Sequence, residues 1–476
     1  MKPAKFIGRE TELERLKELL SSRCASLIVV RGRRRIGKSR LLEEFGKGMK
    51  SLFFSGQAPT KETTEQSQRD EFSRQLERAG LPGIKPDDWG NMFWHLAKFT
   101  AEGRVLIVLD EISWMGDKDP DFLGKLRTIW EQHFKQNAEL IMVLCGSVSS
   151  WIEENILSST GFVGRIAIDL VLKELPLNIC AQFWHLKEKR ITSYEKFKLL
   201  SVTGGVPLYL EMIKPELSAE QNIRNLCFRD GGLLVREFDE IFSDLFSRKN
   251  SIYKEIISSL ANGPKDLGEI CKELKKTRAG LYSGHLDDLV KAGFVQRDFT
   301  WSLKDGKESK LSRYRLSDNY LRFYLKYIEP NLAKIKKGTF ANGLNNLARW
   351  ESVMGLQFEN LVIHNWRTVW ELLDLSAEDI VMDGPFFQKP TTRQPGCQID
   401  YMIQTRFHNL YVCEVKFSKD PIGEKIINEM EQKRKRLKVP KNCSVRPVLI
   451  HVNGVKSDVE DSGYFDKIID FGQLLQ

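Results

Sequence analysis

The stretch Gly32-Arg33-Arg34-Arg35-Ile36-Gly37-Lys38-Ser39 constrains the fold more than any other part of the chain. It fills every position of G-x-x-x-x-G-K-[ST]. An apolar run, Leu27 to Val30, leads into it, and a helix-compatible run, Ser39 to Phe45, leaves it. Strand, glycine-rich loop and helix in that order make a phosphate cradle. The glycines let successive N–H groups turn inward, and the helix beginning near Lys38 aims its positive end at the same anion. In such a loop Lys38 reaches the β- and γ-phosphates of ATP, and the Ser39 hydroxyl ligates Mg²⁺. A glycine-rich turn before a helix is the bland alternative. Arg33 to Arg35 put three cations where small residues would suffice. They either add to the field around the phosphates or face outward to another subunit.

Further runs fit around the loop. Val105 to Leu109 is continuously apolar, as suits a strand buried on both faces of a parallel sheet. It ends in Asp110-Glu111, placing Asp110 for the Mg²⁺ shell and Glu111 for orienting or deprotonating the attacking water. Leu140 to Cys145 ends in Gly146-Ser147, where Ser147 is either a γ-phosphate sensor or part of a strand-end turn. Arg165, before the short strand Ile166-Ala167-Ile168, is either an arginine finger or a surface arginine. Strand and helix signals alternating from residue 25 to about 172 predict an α/β fold: a parallel sheet, helices on both faces, ligand at the carboxyl ends of the strands. Residues 173 to about 247 read as helical, broken at Gly204-Gly205-Val206-Pro207, where Pro207 suits the first turn of a new helix.

A chain of 476 residues exceeds one core and suggests about three domains. No segment approaches the roughly 20 apolar residues of a membrane helix. Met1 to Lys5 runs into a polar helix rather than an apolar leader, so no secretion signal is expected. The eight cysteines form no C-x-x-C pair, and the seven histidines do not cluster near them. This points to a reduced, cytoplasmic setting without structural zinc. The net charge of +9 permits an anionic partner.

Gly8-Arg9-Glu10, the loop at Gly32–Ser39, Leu109-Asp110-Glu111, Cys145-Gly146-Ser147, Gly164-Arg165 and Gly204 to Pro207 occur in that order. Together they resemble the prokaryotic and archaeal ATPases of the STAND branch of the AAA+ superfamily, over about the first half of the chain. The resemblance implies a five-stranded sheet with a helical lid. It places Gly8 and Arg9 beside the adenine and ribose, makes Arg165 a phosphate-sensing arginine, and brings Pro207 near the adenine.

The middle third reads as a winged helix. Ile252, Ile256, Ile257 and Leu260 share one helix face, and Leu267, Ile270 and Leu274 mark a second helix. A third carries Leu281, Leu286, Leu289 and Val290 inward, with Arg278, Tyr282 and His285 expected on its outer side. Two strand-like runs then flank the polar tip Lys304 to Lys307. The third helix could enter a DNA groove. Against that, Asp287 and Asp288 would repel phosphates, so an internal packing or dimer module is the competing reading.

From about residue 350 the signals read helix, three strands, helix, strand. Asp400 falls in one strand, and Glu414 and Lys416 in the next after a tight hairpin. Residues two apart on a strand share a face, so Glu414 and Lys416 point together and Asp400 opposes them. Two carboxylates plus a carbonyl suit Mg²⁺ or Mn²⁺, with Lys416 beside the attacking water. Glu359, from the preceding helix, is a further candidate for holding the metal. The pattern resembles the PD-(D/E)XK nucleases over about the last quarter of the chain, although Ile399 stands where a proline is common. A solvated charged hairpin is the alternative, and Glu431 to Lys438 reads as a solvated charge run or a phosphate-backbone contact.

The expected organisation is an ATPase core at 1–172, a helical lid at 173–247, a winged helix at 248–330 and a restriction-endonuclease-like α/β domain at 331–476. The expected function is an ATP-hydrolysing switch coupled to a metal-dependent nuclease that acts on nucleic acid, DNA more than RNA. A homo-oligomer is left open, and no membrane partner is expected. The rival is an ATP-dependent regulatory or scaffold protein that binds nucleic acid or protein without cutting.

Overall fold

The computed structural model describes residues 6–475 apart from 61, 117, 148, 185–190, 247–249, 277–278, 341–342 and 393. The segment Met1 to Lys5 lies outside the described residues. The chain forms two compact units. One holds Met1–Leu175 with Glu240–Arg248 and Lys291–Gly293. The other holds Pro176–Asp239, Lys249–Val290 and Phe294–Gln476, so the stretches expected as lid, winged helix and terminal domain largely share it.

The first unit is built on β1 (Ser26–Arg31), β2 (Lys50–Ser55), β3 (Val105–Asp110), β4 (Leu140–Gly146) and β5 (Ile166–Val171). All are parallel, in the order β2-β3-β4-β1-β5. The unbroken apolar runs explain the burial. On β1, Leu27 and Val29 pack into one core, while Ile28 and Val30 pack into the core on the opposite face. Such strands have no polar face to offer solvent, so helices must cover both sides. One core is rich in rings: Phe72, Trp89, Phe93 and Phe122 pack with centroids 4.8–5.8 Å apart.

In the second unit, helices Asn250–Leu260, Leu267–Glu273 and Ala279–Lys291 precede the antiparallel hairpin β6 (Val295–Trp301) and β7 (Glu308–Leu316). The helix Trp350–His364 leads into β8 (Ile380–Gln388), β9 (Cys397–Thr405) and β10 (Asn409–Val415). The helix Lys425–Arg436, β11 (Ser444–His451) and a short β12 (Lys467–Asp470) follow. The sheet runs β12-β11-β10-β9-β8, antiparallel from β8 to β10 and parallel from β10 to β12. Trp301 and Leu303 of the hairpin enter the core of this sheet. There Trp301 Nε1 donates to Gln404 (2.9 Å) and Thr300 Oγ1 to the Phe387 carbonyl (2.7 Å). The helix Ser193–Thr203 is buried continuously from Lys196 to Thr203, with Phe197 edge-on to Phe358 at 5.3 Å. Among the described residues, no helix is long and apolar enough to cross a membrane.

Candidate functional site

The carboxyl ends of β1, β3 and β4 converge. Gly32 has φ 149°, and a Cβ there would lie 2.5 Å from the Leu172 carbonyl oxygen, so only glycine lets the backbone pass. Gly37, φ 92°, turns the loop into the helix Lys38–Phe45. Lys38 is buried, and its ammonium donates across the loop to the carbonyls of Gly32 (3.0 Å) and Arg33 (3.3 Å). Ser39 Oγ donates to Asp110 Oδ2 at 2.8 Å, bringing together two hard oxygen donors of the kind Mg²⁺ takes. Glu111 holds a left-handed backbone, φ 50°, uncommon without glycine. Its Oε2 accepts from Ser147 Oγ (2.9 Å) and from the Ser147 N–H (3.1 Å). Ser147 therefore meets Glu111, a partner the strand-end position did not suggest.

Arg165 immediately precedes β5, whose Ile166 pairs with Leu27 at the amino end of β1. That is the end of the sheet opposite Gly32–Ser39, and Arg165 pairs with Glu131 at 2.5 Å. Strand direction thus sets Arg165 apart from the phosphate loop of its own chain, in the surface position that was the alternative reading. Arg9 (φ 70°, following Gly8 at φ 73°) does not present its guanidinium as a free ligand: it donates to the carbonyls of Ile36 (3.1 Å) and Lys173 (2.5 Å) and pairs with Glu12. It ties the amino-terminal helix to the phosphate loop. Arg33 faces Glu174 at 3.5 Å, while Arg34 and Arg35 face Glu240 at 3.5 and 2.9 Å, so all three loop arginines meet carboxylates of their own unit. Pro207 opens the helix Pro207–Glu211 in the second unit.

A second cluster lies on β9 and β10. The register pairs Cys413 with Tyr401, so Glu414 and Asp400 stand opposite one residue further on. Asp400 Oδ2 accepts from the Val415 N–H at 3.0 Å. Lys416 Nζ lies 3.1 Å from Glu414 Oε1 and 2.9 Å from Glu429 Oε2. Although burial alone would lower it, the Glu414 and Glu429 carboxylates hold the Lys416 ammonium above its ordinary value. Glu414 is only 2% exposed, and burial, reinforced by Asp400, pushes its carboxyl up against the pull of Lys433 and Lys416.

Lys433 is the residue that sequence reasoning missed. Its ammonium bridges Glu414 Oε2 (2.5 Å) and Asp400 Oδ1 (3.2 Å). A signal was present: Ile426, Met430, Lys433 and Leu437 fall at i, i+4, i+7 and i+11, which puts this lysine on the buried face of its helix. Asp400 and Glu414 thus already present oxygens to one shared cation, the test a metal-binding pair must pass. Among the described residues no group of three or more His, Cys, Asp or Glu side chains is gathered as a metal site, so a cation on Asp400 and Glu414 would complete its shell with carbonyl or water oxygens. Glu359 accordingly does not complete a ligand set. Burial and then the Asp400 charge raise its carboxyl to about 8, so it stays largely a neutral acid at pH 7.

The third helix of the winged helix also departs from expectation. Tyr282 and His285 are 4% and 5% exposed, not outward. His285 Nδ1 lies 3.1 Å from Tyr253 Oη, which donates to Asp288 at 2.6 Å. Arg278 lies outside the described residues.

Residues 6–213 match the model of an ATPase domain predominantly from Archaea, and residues 253–297 match that of the bacterial regulatory proteins of the arsR family. Both matches end at or before residue 297. The chain therefore carries an archaeal-type P-loop ATPase domain and an ArsR-type winged helix. An uncharacterized protein of Methanocaldococcus jannaschii, MJECL04, is 28% identical over 340 residues, 70% of this chain and 71% of that one. A Walker-type ATPase of Pyrococcus abyssi superimposes with TM-score 0.50 at 16% identity, over 67% of this chain and 96% of the other. That likeness is one of fold. The ORC2 protein of Aeropyrum pernix gives TM-score 0.44 at 15% identity, over 71% and 96% of the two chains.

Proposed function

We propose that the protein hydrolyses ATP as a switch of the STAND kind and cuts nucleic acid, DNA in preference to RNA, at Asp400, Glu414 and Lys416. One observation carries the cleavage half: two opposed carboxylates and a lysine two residues on converge where β9 and β10 pair. Charged groups inside an otherwise apolar strand are costly unless they serve a site. Each Mg²⁺ or Mn²⁺ would polarise a phosphoryl oxygen and offset developing negative charge. At the first site Lys38 neutralises phosphate, Glu111 takes the proton of the attacking water, and Ser147 orients Glu111. At the second, Asp400 and Glu414 would hold the cation. Lys416, kept charged by its carboxylate neighbours, positions water and phosphate as a cation rather than as a base. An ArsR-type winged helix supports DNA as the partner.

The test uses the full-length protein, Mg²⁺ or Mn²⁺, and supercoiled plasmid or single-stranded DNA and RNA. Metal-dependent nicking should vanish in Asp400→Ala while ATP hydrolysis persists. A second reading, binding without cleavage, is favoured by the Lys433 bridge across both carboxylates. Absence of cleavage of every substrate with either ion would establish that reading instead.

A further inference from the structure

Lys433 sits on both carboxylates of the cleavage cluster at once, and nothing in the proposed chemistry needs it there. Its ammonium is within 3.2 Å of Asp400 and 2.5 Å of Glu414, and the side chain is 26% exposed at the rim. A divalent ion bridging the same two residues must use the same oxygens, and with the ammonium in place it meets a like charge at contact distance. Metal entry and the Lys433 contact therefore exclude each other. Lys433 has a flexible four-carbon stem, so the head can leave without moving the helix. What draws it away has to be an anion arriving at the rim. The exposed Lys435 and Arg436 at the end of the same helix, with Lys438 just past it, form a basic stretch suited to a phosphodiester backbone.

Resting on the nuclease reading above, we infer that Lys433 is a gate: it occupies the metal-binding carboxylates until the DNA backbone takes its ammonium, so that the divalent ion binds after DNA. The arrangement keeps the chain from charging its cleavage site with metal before substrate is present. Lys433 is thus a positioning residue acting on metal loading.

The test measures Mn²⁺ affinity directly, by electron paramagnetic resonance of free Mn²⁺, on nucleotide-free full-length protein with and without a double-stranded DNA oligonucleotide. Asp400→Asn defines which binding belongs to this site. In the wild type, Asp400-dependent Mn²⁺ binding should tighten about tenfold or more when DNA is added. Lys433→Met should bind Mn²⁺ about tenfold tighter without DNA and gain little from it. Lys433→Arg, which keeps the cation and guards against a folding artefact, should behave like the wild type. The gate is overturned if Lys433→Met binds Mn²⁺ no tighter than the wild type, or if wild-type affinity is unchanged by DNA. No Asp400-dependent Mn²⁺ binding in any protein, with or without DNA, would sink the metal-nuclease reading and the gate with it. Tight binding that ignores both Lys433 and DNA would sink the gate alone.

Discussion

Glu359 holds a proton in the folded protein at a pH where a free glutamate has lost it. Its carboxyl is raised by burial, then by Asp400, to about 8, against an ordinary value of 4.5. Between those values the folded chain binds more protons than the unfolded chain, so stability falls as pH rises through the window. In metal-free protein, Glu359→Gln should flatten the decline in Tm between pH 5 and 8. An unchanged slope would mean that the carboxyl titrates normally. The same scale shows what a residue-level reading catches. Asp400, Glu414 and Lys416 were legible because strand spacing alone puts them on one face. Lys433 was hidden because a run of six cations and anions looks solvated until its helical phase against Ile426 and Met430 is counted. Tyr282 and His285 were misplaced because aromatic and imidazole groups serve a buried face as readily as a groove. Arg165 stayed open between two readings because its neighbourhood depends on which end of a strand it occupies.

At the scale of elements, the hairpin strand β7 is joined to the helix Trp350–His364 by buried polar groups. Arg315 forks onto Asp298 (2.8 and 3.1 Å) and donates to Asn360 at 2.6 Å. Arg322, buried and therefore lowered to about 10, donates to Gln357 at 2.6 Å and to the Leu316 carbonyl at 2.7 Å. Asn360 donates in turn to the carbonyls of Leu316 and Ser317. The Arg315 and Asp298 side chains are 5% and 8% exposed, so removing one charge strands the other out of water. Arg315→Leu should destabilise the second unit by about 3–5 kcal/mol, and Arg315→Leu with Asp298→Leu should recover a large part of that. Urea unfolding followed by tryptophan fluorescence checks both; equal losses in the single and double variants would show that the pair is not the cause. Elements buried on both faces, such as β1, β3 and β4, announced themselves by unbroken apolar runs. The docking of the hairpin against β8 and β9 did not, because Trp301 and Leu303 look like ordinary strand residues until a partner sheet from the far end of the chain supplies their neighbours.

At the scale of the whole molecule, two clusters suited to phosphate chemistry lie in different units, and their proposed relation is control of the second by the first. Lys38→Ala should abolish ATP hydrolysis and, with it, any effect of ATP on nicking, while leaving the basal metal-dependent nicking of nucleotide-free protein in place. ATP turnover at the wild-type rate in that variant would remove the phosphate loop from the chemistry. The match to an archaeal-type ATPase domain covers the part of the sequence where the phosphate motif and the order of strands agree. In the carboxyl-terminal sheet the reading rests on geometry, since register brings the charged residues of β9 and β10 together.

Trp301 and Leu303 also bear on how such a protein can be taken apart. The winged helix lends two of its apolar side chains to the interior of the carboxyl-terminal sheet. A boundary drawn between the two modules in the chain is therefore no boundary in the core. A fragment starting near residue 331 would expose the seat of Trp301 and leave Gln404 with an unmatched amide. The portable unit for expression, transplantation or evolutionary exchange begins before β6, and the sheet and the hairpin travel together.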